Sequence, residues 1–142
     1  MKIDKRNHLT TKFAYIAGFV DGEGCIRIKK ANKTGNSYYI TLNVTNTDKQ
    51  PLELIKSIFG GKVFFQEKGV NKVIWQYYST CSEAVDTLKT LLGFLISKKE
   101  QADYAIWFHE NKSTLTPSEK LTAHDKISQM KKNIYESPEL IK

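Results

Sequence analysis

The sequence predicts an α+β fold, in which an αββαββα core packs its helices on one face of an antiparallel sheet and a C-terminal helix follows. Apolar residues recur at helical spacing in several segments, and two pairs of intervening segments alternate between apolar and polar residues. Turn-forming residues separate the members of each pair, which predicts hairpins. Because hairpins form antiparallel sheets that need cover on only one face, we expect the other face to stay open to solvent.

The first helix is predicted at residues 10–21. Thr10 or Thr11 can cap its start, and Gly22 and Gly24 end it. Apolar residues on one side of the helix predict a buried face. A second face carries small or short residues, which would let another backbone approach closely: Ala14, Ala17, Gly18 and Asp21.

A hairpin follows, with strands predicted at residues 25–30 and 37–45 on either side of the turn-rich segment ANKTGN. Successive residues of a strand point to opposite faces, so the apolar residues of the second strand and Tyr38 face the core. The outward face of the hairpin is basic and rich in hydrogen-bonding groups. Its members are Arg27, Lys29, Ser37, Tyr39, Thr41, Asn43 and Thr45.

The remaining segments complete the predicted order. A helix at residues 48–59 has Pro51 near its start, and two glycines end it. A second hairpin has strands at residues 62–68 and 73–79, but the apolar and aromatic run VIWQYY leaves open which of its side chains face the core. Further helices are predicted at residues 82–92, 98–112 and 118–135.

The charge distribution favours a polyanionic partner. The net charge is +7, and residues 1–33 hold eight Lys and Arg against three acids. Such a stripe suits phosphate backbones or anionic lipid, although an ordinary solvated face would share this composition. Membrane binding is disfavoured because the basic residues lie on a predicted strand and not on one side of an amphipathic helix.

Other features exclude several classes. The sequence has no apolar run long enough to span a bilayer, and its start, MKIDKRNH, is too polar for a signal peptide. We therefore expect an intracellular protein. The sequence does not distinguish the cytoplasm of a prokaryote from an organelle. The two cysteines and three histidines lack metal-binding spacing, so we expect reduced thiols and no zinc site.

Two acids at the end of the first helix are the most informative chemical feature. Asp21 and Glu23 lie where the helix dipole disfavours anions, directly before a basic strand. A divalent cation would offset that cost, and carboxylates are the hard oxygen ligands that Mg²⁺ prefers. The alternative is structural, with Asp21 as a cap and Glu23 as a solvated side chain.

The segment IAGFVDGEG, residues 16–24, resembles the LAGLIDADG motif of homing endonucleases, with Glu in place of the final Asp. The predicted order of helices and strands matches the core of that family. The segment FLISKKEQADY, residues 94–104, resembles the family segment after the third helix. The resemblance covers about residues 8–112 and predicts one endonuclease domain over residues 1–142, with residues 113–142 as a C-terminal helical extension.

The resemblance implies a role for each residue that matches the family pattern. Glu23 would bind the catalytic Mg²⁺, or another divalent cation such as Mn²⁺, together with the backbone carbonyl of Gly22. Lys98 would lie near the scissile phosphate, although the adjacent Lys99 could take that place. Asn46 and Gln50 would organise the attacking water. The small-residue face of the first helix, with Ala14, Ala17, Gly18 and Asp21, would pack against a second protomer.

The family uses a saddle-shaped sheet to contact double-stranded DNA in the major groove. Alternation along the strands predicts which side chains of this chain would face the DNA. Arg27 suits guanine, Asn43 suits adenine, and Tyr39 suits stacking or a thymine methyl group. The predicted DNA-facing residues are Arg27, Lys29, Ser37, Tyr39, Thr41, Asn43, Gln66 and Lys68.

The sequence contains one motif, and therefore one catalytic carboxylate per chain. The resemblance thus implies an intron-encoded, homodimeric nuclease that cleaves a long, near-palindromic DNA target by metal-dependent hydrolysis. One alternative is a non-cleaving relative, either a maturase that binds its host intron RNA or a repressor. Another is a plain RNA-binding or ribosome-associated protein, which the basic composition permits but which would leave the small-residue helix face unexplained.

Overall fold

The computed structural model describes residues 5–67 and 73–136 of the chain. Within these ranges the helices and strands follow the predicted order, with two short 3₁₀ turns added. The elements are α1 (Lys5–Glu23), β1 (Gly24–Lys30), β2 (Tyr38–Asn46), α2 (Gln50–Phe59), β3 (Lys62–Glu67), β4 (Val73–Thr80), α3 (Cys81–Leu91), a 3₁₀ turn (Leu92–Phe94), α4 (Lys99–Asn111), a second 3₁₀ turn (Lys112–Thr114) and α5 (Pro117–Glu136).

The four strands form one antiparallel sheet in the order β1-β2-β4-β3. Each hairpin contributes one central and one edge strand, and the hairpins join through the pairing of β2 with β4. This arrangement confirms the predicted α+β fold class.

The core lies between one face of the sheet and the helices. Tyr38 is buried, as its position in the alternation predicts, and so is the α5 residue Ile127, which shows that α5 packs onto the core. Side chains from alternate positions of β1, β2 and β4 fill the core face of the sheet. They include Ile26, Ile28, Ile40, Leu42, Val44 and Tyr77.

Helix α1 differs from its prediction at both ends. It begins before Thr10 and Thr11, so neither residue caps it, and it continues through Gly22 to Glu23. The Thr11 hydroxyl instead donates to the carbonyl of Asn7 at 2.7 Å, as threonines inside helices commonly do. The structure therefore corrects the predicted caps, and the helix carries both acids.

The phase of β4, which the sequence left open, follows from the strand register. Tyr77 is fully buried on the core face, and its hydroxyl donates to the carbonyl of Gly60 at 2.8 Å. Ile74, Gln76 and Tyr78 alternate with Tyr77 and therefore lie on the opposite face. Among the described helices, none is both long and apolar enough to cross a membrane.

Candidate functional site

Helix α1 passes into strand β1 without an intervening loop, and Gly24 makes this possible. A Cβ atom at Gly24 would lie 2.6 Å from the Val20 carbonyl oxygen and 2.9 Å from Val20 Cγ1. Both distances are shorter than van der Waals contact, so only glycine fits. The sharp turn leaves Glu23 exposed at the end of the helix, beside the open face of the sheet.

Gly24→Ala should destabilise the fold, because the added methyl group overlaps backbone that cannot move freely. We expect a loss of about 1–3 kcal/mol in the free energy of unfolding, as for other overpacked sites. Urea denaturation measures this loss. Gly93→Ala is the matched control, since a methyl group added there would have no atom within 4 Å. Equal stability of the two variants would contradict the close approach at Gly24.

Asp21 links the end of α1 to the start of α4. Its carboxylate oxygens accept hydrogen bonds from the backbone N–H groups of Ile96 at 2.8 Å and Lys98 at 3.0 Å. These donors lie just before α4, where helices leave N–H groups without intrahelical partners. Asp21 therefore has a structural role within the chain, which agrees with the alternative interpretation of Asp21 as a cap.

Lys98 is nearly buried, with 6% of its surface exposed, and it also contacts the end of α1. Its ammonium group donates a hydrogen bond to the backbone carbonyl of Asp21 at 2.5 Å. Burial lowers the pKa of Lys98, and the nearby carboxylates of Asp21 and Glu23 offset only part of this effect. Lys99 is exposed, so the geometry favours Lys98 as the basic residue of the site.

Glu23 has a different environment from Asp21. Among the described residues, none forms a hydrogen bond or ion pair with its exposed carboxylate. Glu23 and Asn46 line one hollow of about 300 Å³, together with Thr45, Thr47 and Ile74. The Asn46 side-chain oxygen accepts the backbone N–H of Asp48 at 2.9 Å, which fixes the orientation of its amide group.

Gln50 lies at the first position of α2 and is exposed. Its backbone N–H donates to the Asp48 carboxylate at 3.0 Å. Its side chain lines a neighbouring hollow of about 290 Å³ with Tyr15 and Leu54, and not the hollow that contains Glu23. Of the predicted water-organising residues, the structure thus brings Asn46 to Glu23 directly.

A third cavity, of about 380 Å³, also adjoins the α1 terminus. The Cys25 thiol there accepts hydrogen bonds from Lys131 Nζ at 2.8 Å and Arg27 Nε at 3.1 Å. Burial raises the pKa of Cys25, but the two cations outweigh burial and lower it overall. Residues that line the cavity are Asp21, Gly22, Gly24, Cys25, Ser97, Lys98, Gln101 and Lys131.

Sequence reasoning missed Lys131 and Gln101. Lys131 comes from α5, more than 100 positions along the chain from its partner Cys25, and no local pattern relates the two. Gln101 belongs to the segment FLISKKEQADY, but the burial of its side chain depends on how α4 packs against the rest of the fold. Within residues 5–67 and 73–136, no group of three or more His, Cys, Asp and Glu side chains could enclose a metal ion.

The strand register defines the open face of the sheet, opposite the core. It carries Arg27, Lys29, Tyr39 and Asn43, as predicted, and Gln66 on β3. Ser37 lies just before β2 and is exposed, and Lys68 lies outside the described residues. Residues on the open face that the prediction did not include are Lys62, Phe64, Ile74, Gln76 and Tyr78.

Thr41 requires a correction. It lies on the open face, paired with Arg27 and Thr80, but only 1% of its surface is exposed. Its position on a central strand places it beneath longer neighbours, so its side chain cannot reach a large ligand directly. Its hydroxyl has no hydrogen-bond partner among the described residues.

The exposed side of α1 is a stripe of mostly small residues. A methyl group added at Gly18 or at Gly22 would meet no described atom within 4 Å apart from the adjoining backbone of α1. Ala14 is exposed on the same side, but Ala17 is fully buried in the core, so its side chain cannot contact a second protomer and its predicted interface role is corrected. The stripe consists of Thr11, Ala14, Tyr15, Gly18 and Gly22.

Both the sequence and the fold of this chain are similar to those of known endonucleases. The sequence profile described as LAGLIDADG endonuclease matches residues 16–111. One similar structure is that of the homing endonuclease I-CvuI, which is 26% identical to this chain. That structure is a complex with the I-CreI target in the presence of Mg, and its DNA is not cleaved. It matches with a TM-score of 0.72, over 87% of this chain and 83% of that one.

Two further structures share the fold at lower identity. The archaeal intron-encoded homing endonuclease I-Vdi141I, complexed with DNA, is 18% identical, with a TM-score of 0.71 over 86% of this chain and 85% of that one. The meganuclease I-SmaMI, bound to uncleavable DNA, is 22% identical, with a TM-score of 0.59 over 94% of this chain and 47% of that one. Among curated proteins, no sequence matches significantly.

Proposed function

This chain belongs to the LAGLIDADG endonuclease family, and we propose that it is a homing endonuclease that cleaves both strands of a long, near-palindromic DNA target as a homodimer. The observation that carries the proposal is the exposed Glu23 carboxylate, which has no partner in the part of the chain that the structure describes and lies at the end of a helix with an open small-residue side. The carboxylate of Asp21, by contrast, is occupied by backbone N–H groups of its own chain.

The residues at the α1 terminus fit a divalent cation. The Glu23 carboxylate and the carbonyl of Gly22, near the helix end where carbonyls lack intrahelical partners, are hard oxygen donors of the kind that Mg²⁺ and Mn²⁺ prefer. When bound, such an ion would supply a more acidic water and stabilise charge on the phosphate. One carboxylate per chain leaves coordination sites for a second protomer, the DNA and water.

The neighbouring side chains suit hydrolysis of a phosphodiester bond. Asn46 has a fixed amide beside Glu23 and would orient the attacking water, with Gln50 in the adjacent hollow. Lys98 would donate to the phosphate as negative charge develops, since its ammonium has further N–H groups beyond the one bound to Asp21. On the open face, Arg27, Lys29 and their neighbours would contact the bases and backbone.

A homodimer follows from the need for two catalytic carboxylates. The stripe on α1 lets two helices approach closely, which would bring both Glu23 residues together between two sheets. The match to slightly less than half of I-SmaMI supports a protomer that corresponds to one half of a longer nuclease. A symmetric dimer presents the same surface twice, so the target should be a near-palindrome.

Gly18→Leu should prevent dimer formation without unfolding the chain. The Cβ atom of the new side chain points into space that no described atom outside the adjoining α1 backbone occupies within 4 Å, but the leucine would separate the two helices. We expect light scattering to give the mass of one 16.3 kDa chain for the variant and twice that mass for the unaltered protein. Gly93→Leu also starts from open space, but Gly93 lies in the 3₁₀ turn after α3 and not on the α1 stripe, so this variant should remain dimeric. A dimeric Gly18→Leu variant would exclude this interface.

Removal of the metal tests the proposed reaction. A target is first selected from a library of near-palindromic duplexes by binding in Ca²⁺, and cleavage is then measured in Mg²⁺ and in EDTA. We expect double-strand cleavage in Mg²⁺, no cleavage in EDTA, and binding in Ca²⁺. DNA binding without cleavage in Mg²⁺ or Mn²⁺ would favour the repressor alternative. Tighter binding to intron RNA than to duplex DNA would favour a maturase.

A further inference from the structure

We infer that the β3–β4 part of the open face, which adjoins the Glu23 hollow through Ile74, reads A·T base pairs, an inference that rests on the proposed function. Four side chains of β3 and β4 form this region, which we call the β3–β4 patch. None of the four is charged, in contrast to the basic residues Arg27 and Lys29 on β1. The patch consists of Phe64, Gln66, Ile74 and Gln76.

The strand register fixes the arrangement of the patch. Phe64 pairs with Gln76, and Gln66 pairs with Ile74, so all four side chains share one face. Directly paired side chains lie about 5 Å apart at Cβ, and diagonal neighbours about 7–8 Å apart. The two apolar side chains therefore occupy one diagonal and the two amides the other.

The patch adjoins the candidate metal site. Ile74 lines the same hollow as Glu23 and Asn46. Gln76 pairs with Thr45, which lines that hollow as well. Base pairs next to the cleaved bonds would consequently meet this patch.

The exposure of Phe64 calls for a ligand. It is 41% exposed on the face that points away from the core, although a buried position would be more favourable for an aromatic ring. Gln66 is also exposed, while Ile74 and Gln76 are partly buried. An apolar ring and a neighbouring amide on an otherwise polar surface indicate a partner with both a methyl group and hydrogen-bonding atoms.

The A·T base pair has this combination in the major groove. A glutamine amide can bind adenine N6 and N7 in a bidentate manner, and apolar side chains contact the thymine methyl group. A G·C pair lacks the methyl group and is read best by Arg or Lys, which the patch does not contain. At about 3.4 Å per base-pair step, the 7–8 Å diagonal spans about two steps. We therefore expect two A·T pairs in each half-site, with one base pair between them.

The experiment measures how much the thymine methyl group alone contributes to DNA binding. Duplexes selected in Ca²⁺ from a library randomised across one repeated half-site give the base preference at each position. Thymines next to the cleavage site are then replaced by uracil, which removes only the methyl group. Each replacement should weaken binding about fourfold, the contribution of one buried methyl-sized group, and a change to G·C should weaken it about tenfold or more.

Two protein variants test whether the β3–β4 patch causes the base preference. Phe64→Ser should remove the thymine preference and the effect of uracil at one of the two A·T pairs, while Ile74 retains them at the other. The exposed position of Phe64 should leave the fold intact. Phe65→Ser is the matched control, because Phe65 is 46% exposed on the opposite face of the same strand. It should retain the wild-type base preference.

Several outcomes would overturn the inference. They are G·C or no preference at the innermost selected positions, an unchanged affinity for uracil-containing duplexes, or a uracil effect that Phe64→Ser retains at both A·T pairs. In each case, cleavage of the selected target in Mg²⁺ would leave the proposed function intact. If the protein bound no duplex DNA at all, the proposed function and this inference would both be wrong.

Discussion

Replacing Glu23 with Gln is expected to abolish DNA cleavage while DNA binding is retained. Glu23→Gln preserves the size of the side chain but removes the negative charge that would hold a divalent cation. A catalytic metal supplies several kcal/mol of transition-state stabilisation, so the cleavage rate should fall by about 10³-fold or more. The fold should not change, because the carboxylate is exposed and has no partner among the described residues.

Single-turnover cleavage of the selected duplex in Mg²⁺ measures the rate, and the dissociation constant in Ca²⁺ measures binding. Glu23→Asp is the informative control, since it shortens the side chain by one methylene but keeps a hard carboxylate. We expect this variant to retain measurable cleavage. Equal cleavage by Glu23→Gln and the unaltered protein would show that the carboxylate is not a required metal ligand.

The two acids show what the sequence reveals and what it leaves out. Their position at the end of an apolar helix is a local property, and the motif made it recognisable. Their separation into a structural and a free carboxylate is not local, because Asp21 binds backbone groups 75 and 77 positions away. Only the packing of α4 against α1 shows that Asp21 is occupied and Glu23 is available.

The sheet was predictable to the extent that its strands alternate. β2 alternates cleanly, and its core residues follow the prediction. The run VIWQYY in β4 has apolar or aromatic side chains at positions of both phases, so no period could assign Ile74 and Gln76 to the open face. Their position depends on the pairing of β4 with β2 and β3, which is long-range. Thr41 likewise became buried because of side chains on neighbouring strands.

The predicted small-residue face of α1 is present, but Ala17, one of the residues assigned to it, is buried in the core. Ala17 and Gly18 are adjacent and equally small, and about 100° of rotation separates their directions on a helix. One packs against the core and the other meets open space, and the apolar pattern around them did not define the boundary. The contribution of α5 could not be predicted at all, because Lys131 reaches Cys25 only through tertiary packing.

Lys98→Met should reduce the cleavage rate by about 10²–10³-fold, the range found when one preorganised donor to a developing negative charge is removed. Methionine retains much of the aliphatic length that is buried against α1, so DNA binding should be nearly unchanged. Lys99→Met is the matched control, because Lys99 is adjacent in sequence but exposed. A comparable loss of cleavage in both variants would point to a general loss of positive charge.

The pH dependence of cleavage distinguishes a charged Lys98 from a merely structural one. Burial lowers the pKa of Lys98 below that of an ordinary lysine. Lysine carries its charge below its pKa, so a rise in pH through this lowered pKa removes the ammonium and cleavage should decline. Lys98→Arg, which keeps its charge to higher pH, should move the decline upward in whatever activity it retains. If the cleavage rate of Lys98→Arg declined at the same pH as that of the unaltered protein, the decline would belong to another group. If the cleavage rate of the unaltered protein instead rose as the Lys98 ammonium lost its proton, Lys98 would be a proton acceptor.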